Sequence, residues 1–333
     1  MSDPGERKTM RRLKTTVATY GHTKALKDGT VTSPLLTLDF VEYNPMMIAY
    51  RKMVRDLEFD VAEMAVTTYL VAKAHGKAFT ALPIVLNHIL HHGDIQTRLD
   101  AGIEAPADLA GKRVGVRAYT VTTGVWVRGL LSSEYGVAPS SITWITDDEE
   151  HVQEFRAPQN VIAAPDGKSI VDLFHDGAID AAFGGAAGLG RSGPPRAGWD
   201  AGGAPQPSAP IAKSLFPDAA QRDIDWYNRT GIYPIHGVLV VKDSVLASDP
   251  AIAPELCRMF TEAKELFLQR LRSGASPEPD DARWQRFAAM VGGDPLPYGI
   301  EANRKTLEAL IAFAYEQQLI PTRYRPEDVF AAC

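Results

Sequence analysis

A histidine enters an apolar strand signal at Gly231-Ile-Tyr-Pro-Ile-His236, which runs on into Gly237-Val-Leu-Val-Val241. Proline removes a ladder donor and glycine frees the backbone, so residues 231–237 read as a chain crossing that delivers His236 to the start of the strand. An imidazole there suits acid–base work, because its ordinary pKa lies near neutrality. Two further segments place polar side chains just past hydrophobic strand signals. Phe59-Asp-Val-Ala-Glu-Met-Ala-Val-Thr-Thr-Tyr69 offers Glu63, Thr67 and Thr68, and Val114-Gly-Val-Arg-Ala-Tyr-Thr-Val-Thr-Thr-Gly124 offers Arg117, Tyr119, Thr122 and Thr123. The three segments together outline one pocket. His88, His91 and His92 would share a face if their segment were helical, a metal-like spacing. Pro83 and the apolar run before them argue instead for strand and loop, where three ligands do not converge; one histidine helping to hold a divalent ion stays open.

The elements that must carry these residues alternate between strand and helix, which points to an α/β fold. Strand signals stand at 14–20 and 35–41, a helical pattern at Met46–Leu57, a helix at Ala65–His75 ended by Gly76, and a strand at Leu82–Leu86. A short helical turn from Pro106 feeds a strand ending at Val116, and a helix follows over Thr122–Tyr135. A second unit repeats the plan with strand Ile142–Ile145, helix Ser169–His175 and strand Ile179–Phe183. Residues 184–210, rich in Gly, Ala and Pro, read as a loop or cover. Strand Val238–Val241 and amphipathic helices Pro254–Arg272 and Asn303–Gln318 complete the chain. The simplest topology is a discontinuous first lobe of residues 1–112 and 236–333, a second lobe of 113–235, and a cleft between them.

Composition bounds the function. With 333 residues, 45% hydrophobic and 23% charged, the chain has room for two lobes with real cores. A formal charge of -6 argues against non-specific nucleic-acid binding, which recruits basic surfaces. The basic run Arg7, Lys8, Arg11, Arg12 and Lys14 has no apolar stretch behind it, so neither a secretory signal nor a membrane span is expected and the expected location is the cytoplasm. Cys257, in a helical pattern, and Cys333, at the end of the chain, suggest a reducing compartment with no disulfide framework. Gly184-Gly-Ala-Ala-Gly-Leu-Gly190 lacks the lysine and hydroxyl of a phosphate loop, Asp147-Asp-Glu-Glu150 reads as a solvated turn, and no Gly-x-Ser-x-Gly elbow is present.

Phe59-Asp-Val-Ala-Glu-Met-Ala65, Asp108-Leu-Ala-Gly-Lys-Arg-Val-Gly-Val116, Trp126-Val-Arg-Gly-Leu130, Thr230-Gly-Ile-Tyr-Pro-Ile235 and Tyr298-Gly-Ile-Glu-Ala-Asn-Arg-Lys-Thr-Leu307 resemble the 4,5-dihydroxyphthalate decarboxylase family, from about residue 35 to the end. The Asp108–Val116 piece is shared widely among two-lobed binding proteins and speaks only to fold. The resemblance implies a type 2 periplasmic-binding-protein-like architecture, two mixed sheets flanked by helices, and a carboxy-lyase acting on a small hydroxylated aromatic acid. The chain departs from the family pattern at His91-His92-Gly93, at Arg117-Ala118-Tyr119 and at Gly184-Gly185-Ala186-Ala187, so the substrate is less fixed than the fold.

Decarboxylating an electron-rich ring requires a proton for the carbon that bears the carboxylate and a clamp for the anion. His236 or His92 is the expected proton donor. Glu63 is expected to orient a histidine or accept a substrate hydroxyl, its bland role being a helix cap. Arg117, with its fork of donors, and the helix start at 120–123 are the expected carboxylate clamp, with Tyr119, Thr122, Thr123, Thr67 and Thr68 as further binders. The bland reading of each histidine is a hydrogen bond that fixes a strand, and that of Arg117 a solvated loop. Arg128 reads equally as the partner of a buried acid, and Trp126 and Tyr135 as core. No organic cofactor is needed, a divalent metal stays open, and a homo-oligomer is expected of a soluble metabolic enzyme. The alternatives are a solute-binding protein for a small organic anion and a lyase or dehydratase on the same fold.

Overall fold

Val61-Ala-Glu-Met-Ala65 is buried at every position, as befits a strand covered on both faces, and it forms the middle of the first of two sheets. The computed structural model describes residues 10–190 and 212–333. Its strands are β1 (Arg11–Thr16), β2 (Leu36–Phe40), β3 (Val61–Ala65), β4 (Phe79–His88), β5 (Ile95–Arg98), β6 (Arg113–Gly115), β7 (Thr143–Thr146), β8 (Val161–Ala163), β9 (Ala181–Phe183), β10 (Ala212–Ser214) and β11 (Ile235–Lys242). Its helices are α1 (Lys24–Lys27), α2 (Met47–Asp56), α3 (Val66–Ala74), α4 (Thr122–Tyr135), α5 (Ile170–His175), α6 (Ala219–Thr230), α7 (Asp243–Ser248), α8 (Ile252–Ser273), α9 (Asp281–Val291), α10 (Ile300–Glu316) and α11 (Pro326–Val329).

The first sheet has the order β2-β1-β3-β11-β4 and the second β10-β5-β9-β6-β7-β8. Both are mixed: β1 runs parallel to β2 and β3, while β11 runs antiparallel to β3 and β4. Strand periodicity divides the first sheet's side chains between two cores. Val61, Leu239 and Val241 pack with Leu256, Met259 and Phe260 of α8. Ala62, Met64, Val238 and Val240 pack into the large core that also holds Trp126, Leu130 and Leu310. Pro83 lies in β4, which is an edge strand and can spare the donor.

The sequence places the first passage between lobes near residue 112. The chain instead leaves the first sheet at His88 and joins the second at Ile95, because Ile95-Gln-Thr-Arg98 is already a strand of the second sheet. Its half-polar alternation over four residues carries no strong strand signal. The chain returns between Thr230 and Ile235, turning at Gly231, whose φ of 68° is in the left-handed region. The first strand is shorter than the expected 14–20, and α6, α9, β5 and β8 were not anticipated. Of the stretch 184–210, residues 185–187 form one 3-10 turn; residues 191–210, like Arg7 and Lys8, lie outside the described residues. Asp147–Glu150 is no solvated turn: Asp147 accepts the backbone N–H of Ile170 at 2.9 Å and Asp148 stands 3.5 Å from Arg51.

Cys257 of α8 and Cys333 are joined in a disulfide. The expectation of two free thiols is therefore corrected, and the argument from cysteine to a reducing compartment falls with it. Residues 76 apart in sequence give a pairing that single-chain spacing cannot reveal. No helix of the described residues is long and apolar enough to cross a membrane. Closing so long a loop restricts the unfolded chain, so Cys333→Ser is expected to lower unfolding free energy by about 2–4 kcal/mol. Urea denaturation without reductant checks this, and equal midpoints for variant and oxidised parent would refute it.

Candidate active site

The loop from β6 to α4, residues 116–121, is pinned from two sides. The carboxylate of Glu150 accepts the N–H of Tyr119 at 2.6 Å, and the N–H and hydroxyl of Thr120 at 3.2 and 2.5 Å. Arg128, fully buried on α4, donates to the Tyr119 carbonyl at 2.6 Å and to Gln317 Oε1 at 2.7 Å, and lies 3.9 Å over the Tyr119 ring centroid. Gln317 returns a bond to the Val125 carbonyl at 2.9 Å. One residue along, a Cβ on Gly129 would fall 2.2 Å from the Phe313 ring, so glycine lets α4 meet α10. Trp126 Nε1 donates to the Ile235 carbonyl at 2.8 Å. Trp126-Val-Arg-Gly-Leu130 is thus the joint between α4, α10 and the start of β11.

That joint sets His236 in place. Between Ile235 and Gly237 the pairing with β4 advances two residues against one, so His236 is the extra residue of a β-bulge, a device that re-aims a side chain. Its Nε2 lies 3.5 Å from the Thr123 hydroxyl at the start of α4, and its ring centroid lies 6.4 Å from that of His91. His91 stacks on Trp126, and its Nδ1 is 2.7 Å from Asp94 Oδ2. The buried Nε2 of His91 has no hydrogen-bond partner among the described residues. Burial first, and then the neighbouring His91, Arg117 and Arg283, push the His236 pKa down to about 3. Without an anion beside it this imidazole is neutral at pH 7.

Arg117 is buried at the mouth of the same loop and lies 3.3 Å from Met47 Sδ through Nη1. Its positive field reaches His236 and Tyr50. Arg283 of α9 donates to Asn87 Oδ1 at 2.5 Å and to the His88 carbonyl at 2.6 Å, and its field reaches His236 and Tyr20. Glu63, 2% exposed, caps no helix. It accepts the Ala18 N–H at 3.0 Å and the hydroxyls of Tyr20 and Tyr50 at 2.7 and 2.8 Å. Burial raises its pKa against the pull of those three bonds. A Cβ on Gly237 would be 3.5 Å from Glu63 Oε1, which puts the carboxyl beside the residue that follows His236.

Other expected residues are occupied elsewhere. His92 is buried with its Nδ1 2.6 Å from Asp223 Oδ1, inside a box of Tyr135, Phe216 and Trp226. Tyr119 is 2% exposed, and its hydroxyl donates to the Gln317 carbonyl at 3.3 Å. Thr67 donates to the Thr120 carbonyl at 2.7 Å and shares a 2.8 Å bond with the Thr122 hydroxyl, so the pair ties α3 to α4. Thr68 is buried on α3. Of the expected binders, Arg117 and Thr123 stand nearest His236. Among the described residues no three His, Cys, Asp or Glu converge as metal ligands; His88, His91 and His92 each direct Nδ1 to a different partner. Sequence reasoning missed Tyr20, Tyr50 and Arg283. Tyr20, at the end of the 14–20 strand signal and past the observed end of β1 at Thr16, is the residue that polar type beside a strand could mark; nothing local marks Arg283.

No family model matches the sequence. The 4,5-dihydroxyphthalate decarboxylase of Comamonas testosteroni is 29% identical over 333 residues, covering 96% of each chain. That of Pseudomonas putida is 31% identical over 180 residues, covering 52% of this chain and 69% of the relative. The chain belongs to the 4,5-dihydroxyphthalate decarboxylase family. As a member of this family it is a carboxy-lyase, and the binding-protein alternative is set aside. Protein AF1704 from Archaeoglobus fulgidus matches with a TM-score of 0.53 at 12% identity over 93% of this chain and 98% of its own. The alkanesulfonate-binding protein SsuA from Xanthomonas axonopodis pv. citri, bound to MOPS, matches with a TM-score of 0.51 at 14% identity over 99% and 100%. These likenesses show the two-lobed binding-protein fold expected of the decarboxylase family.

In this family member the neutral state of His236 is open to test. Nuclear magnetic resonance of the ring is expected to show no titration between pH 8 and 5 in the ligand-free protein. The sign follows from the neighbours: cations and burial favour the neutral ring, and a bound anion offsets both. A ligand-free midpoint near 6.5 would contradict the assignment.

Proposed function

We propose that the cleft decarboxylates 4,5-dihydroxyphthalate or a closely related hydroxylated phthalate. The observation that carries this reading is the bulge-mounted His236 beside Thr123 and His91, within the field of Arg117 and Arg283. An aromatic dicarboxylate entering that field meets two guanidinium groups and the N-terminus of α4, which has no side-chain cap bond. Its charge offsets the cations and raises the pKa of His236, so the imidazole takes up a proton only once the substrate is bound.

The proton then passes to the ring carbon that carries the carboxylate. A hydroxyl para to that carbon supplies electron density, the carbon–carboxylate bond breaks, carbon dioxide leaves, and the bonding pair restores the aromatic ring. The product of 4,5-dihydroxyphthalate is 3,4-dihydroxybenzoate. Thr123 steadies the imidazole, and His91, its Nδ1 held by Asp94 and its ring 6.4 Å from that of His236, serves as relay or second donor. Closure of the lobes excludes water and strengthens each of these contacts. The ring itself holds the transient charge, so the proposal includes no organic cofactor.

Incubation of the purified protein with 4,5-dihydroxyphthalate is expected to release carbon dioxide and 3,4-dihydroxybenzoate, with release surviving a chelator. Loss of release with the chelator would place a divalent ion in the reaction. His236→Ala is expected to lower kcat by about 100-fold or more, with ligand affinity kept within about tenfold. Unchanged turnover would remove His236 from the mechanism.

A further inference from the structure

Two tyrosines from distant parts of the chain converge on one carboxylate oxygen. Tyr20, in the loop after β1, and Tyr50, on α2, both donate to Oε1 of Glu63, while Oε2 takes the Ala18 N–H. A phenol has one proton to give. With that proton committed to Glu63, each phenolic oxygen offers only lone pairs to any further partner. Both tyrosines are half-buried, whereas Glu63 beneath them is buried. The carboxylate therefore fixes the direction of two hydroxyls without being the surface a ligand meets. Tyr20 is braced by stacking on the buried His22 with ring centroids 5.1 Å apart, and Tyr50 lies 6.3 Å from the His151 ring.

The flanks of this pair have the opposite character. The positive field of Arg117 reaches Tyr50, that of Arg283 reaches Tyr20, and both reach His236. The two phenolic acceptors over a carboxylate thus lie within the field of two cations. We propose that Tyr20 and Tyr50, oriented by Glu63, form a subsite that reads ring hydroxyls by accepting their O–H groups. The subsite deepens the reading of the cleft as a site for a hydroxylated aromatic acid and rests on it. An ortho-diol carries two adjacent donors and matches two adjacent acceptors. A carboxylate turned toward this end meets acceptors and the charge of Glu63, so the ring enters with its carboxylates toward the guanidinium groups. Acceptors that a bound ring shuts off from water and leaves without a donor are costly, and a site built around a substrate hydroxyl rejects the analogue lacking it.

The test is calorimetric titration of the full chain with two matched pairs, 4,5-dihydroxyphthalate against phthalate and 3,4-dihydroxybenzoate against benzoate. In the parent protein the hydroxylated member of each pair is expected to bind at least about tenfold tighter, the effect of one to two hydrogen bonds. The double variant Tyr20→Phe, Tyr50→Phe is expected to bring that ratio to within about threefold of one, with the affinity for phthalate little changed. Because the double variant removes two partners of a buried carboxylate, Glu63→Gln serves as the second probe. Its amide donates to one tyrosine and turns that hydroxyl outward as a donor, so the ratio falls while the fold keeps all its side-chain volume. A parent without preference in either pair, or variants that keep the full preference, would overturn the subsite. Preference in the benzoate pair that is lost in the variants, with no decarboxylation of any dihydroxyphthalate, would uphold the subsite and overturn the proposed reaction.

Discussion

The guanidinium of Arg128 is the interaction on which the site depends. A fully buried cation is costly unless it is paired, and here the Tyr119 carbonyl takes Nη2, the Gln317 side-chain carbonyl takes Nε and the Tyr119 ring lies under the guanidinium, while Nη1 has no hydrogen-bond partner among the described residues. Those partners come from the loop that carries Arg117 and from the turn after α10, so one charge ties that loop to the end of α10. Removing any partner would leave the cation uncompensated, and the positions of Arg117 and Thr123 would relax together. Glu150 completes the arrangement from the opposite side of the loop.

A second constraint acts through the backbone. Trp126 holds the Ile235 carbonyl, and the bulge immediately after it turns His236 out of the regular ladder toward Thr123 and His91. The same helix therefore supplies the N-terminus beside Thr123 and the anchor for the imidazole. Neither lobe builds the site alone, since Arg117 and Thr123 follow a strand of the second sheet and His236, Glu63 and Tyr50 belong to the first. In the proposed function, the division couples the chemistry to the approach of the lobes.

Much of the fold was legible in the sequence because long apolar periodicity is a local signal. Helix α4 was expected at its observed ends, and α2, α3, α8 and α10 within two or three residues of theirs. What escaped was short or polar: β5 has two apolar-facing positions, and α6 and α9 carry many charges among few buried residues. Among site residues, Glu63, Arg117, Thr123 and His236 could be picked out from polar types beside strand signals. His92 could not be told from His91 by that means. Both stand at a 3-10 turn, and only the tertiary partners Asp223 and Trp126 decide which ring enters the aromatic box and which stacks on α4. The cysteine pair was illegible for a related reason, since its loop is closed by packing and not by spacing.

The last residues of the chain have a consequence for association between molecules. Strand β4 is an edge of the first sheet, and an uncovered edge is a template for pairing with another chain. Phe330 bridges to Ala81 on that edge, the Ala331 N–H bonds to the Ala81 carbonyl at 2.9 Å, and Tyr69 reaches the Val329 carbonyl from below. The disulfide two residues further on fastens this cover to α8. The C-terminus thereby occupies the edge at Ala81, where another chain would otherwise pair, and a cut or a reduction there would loosen that cover.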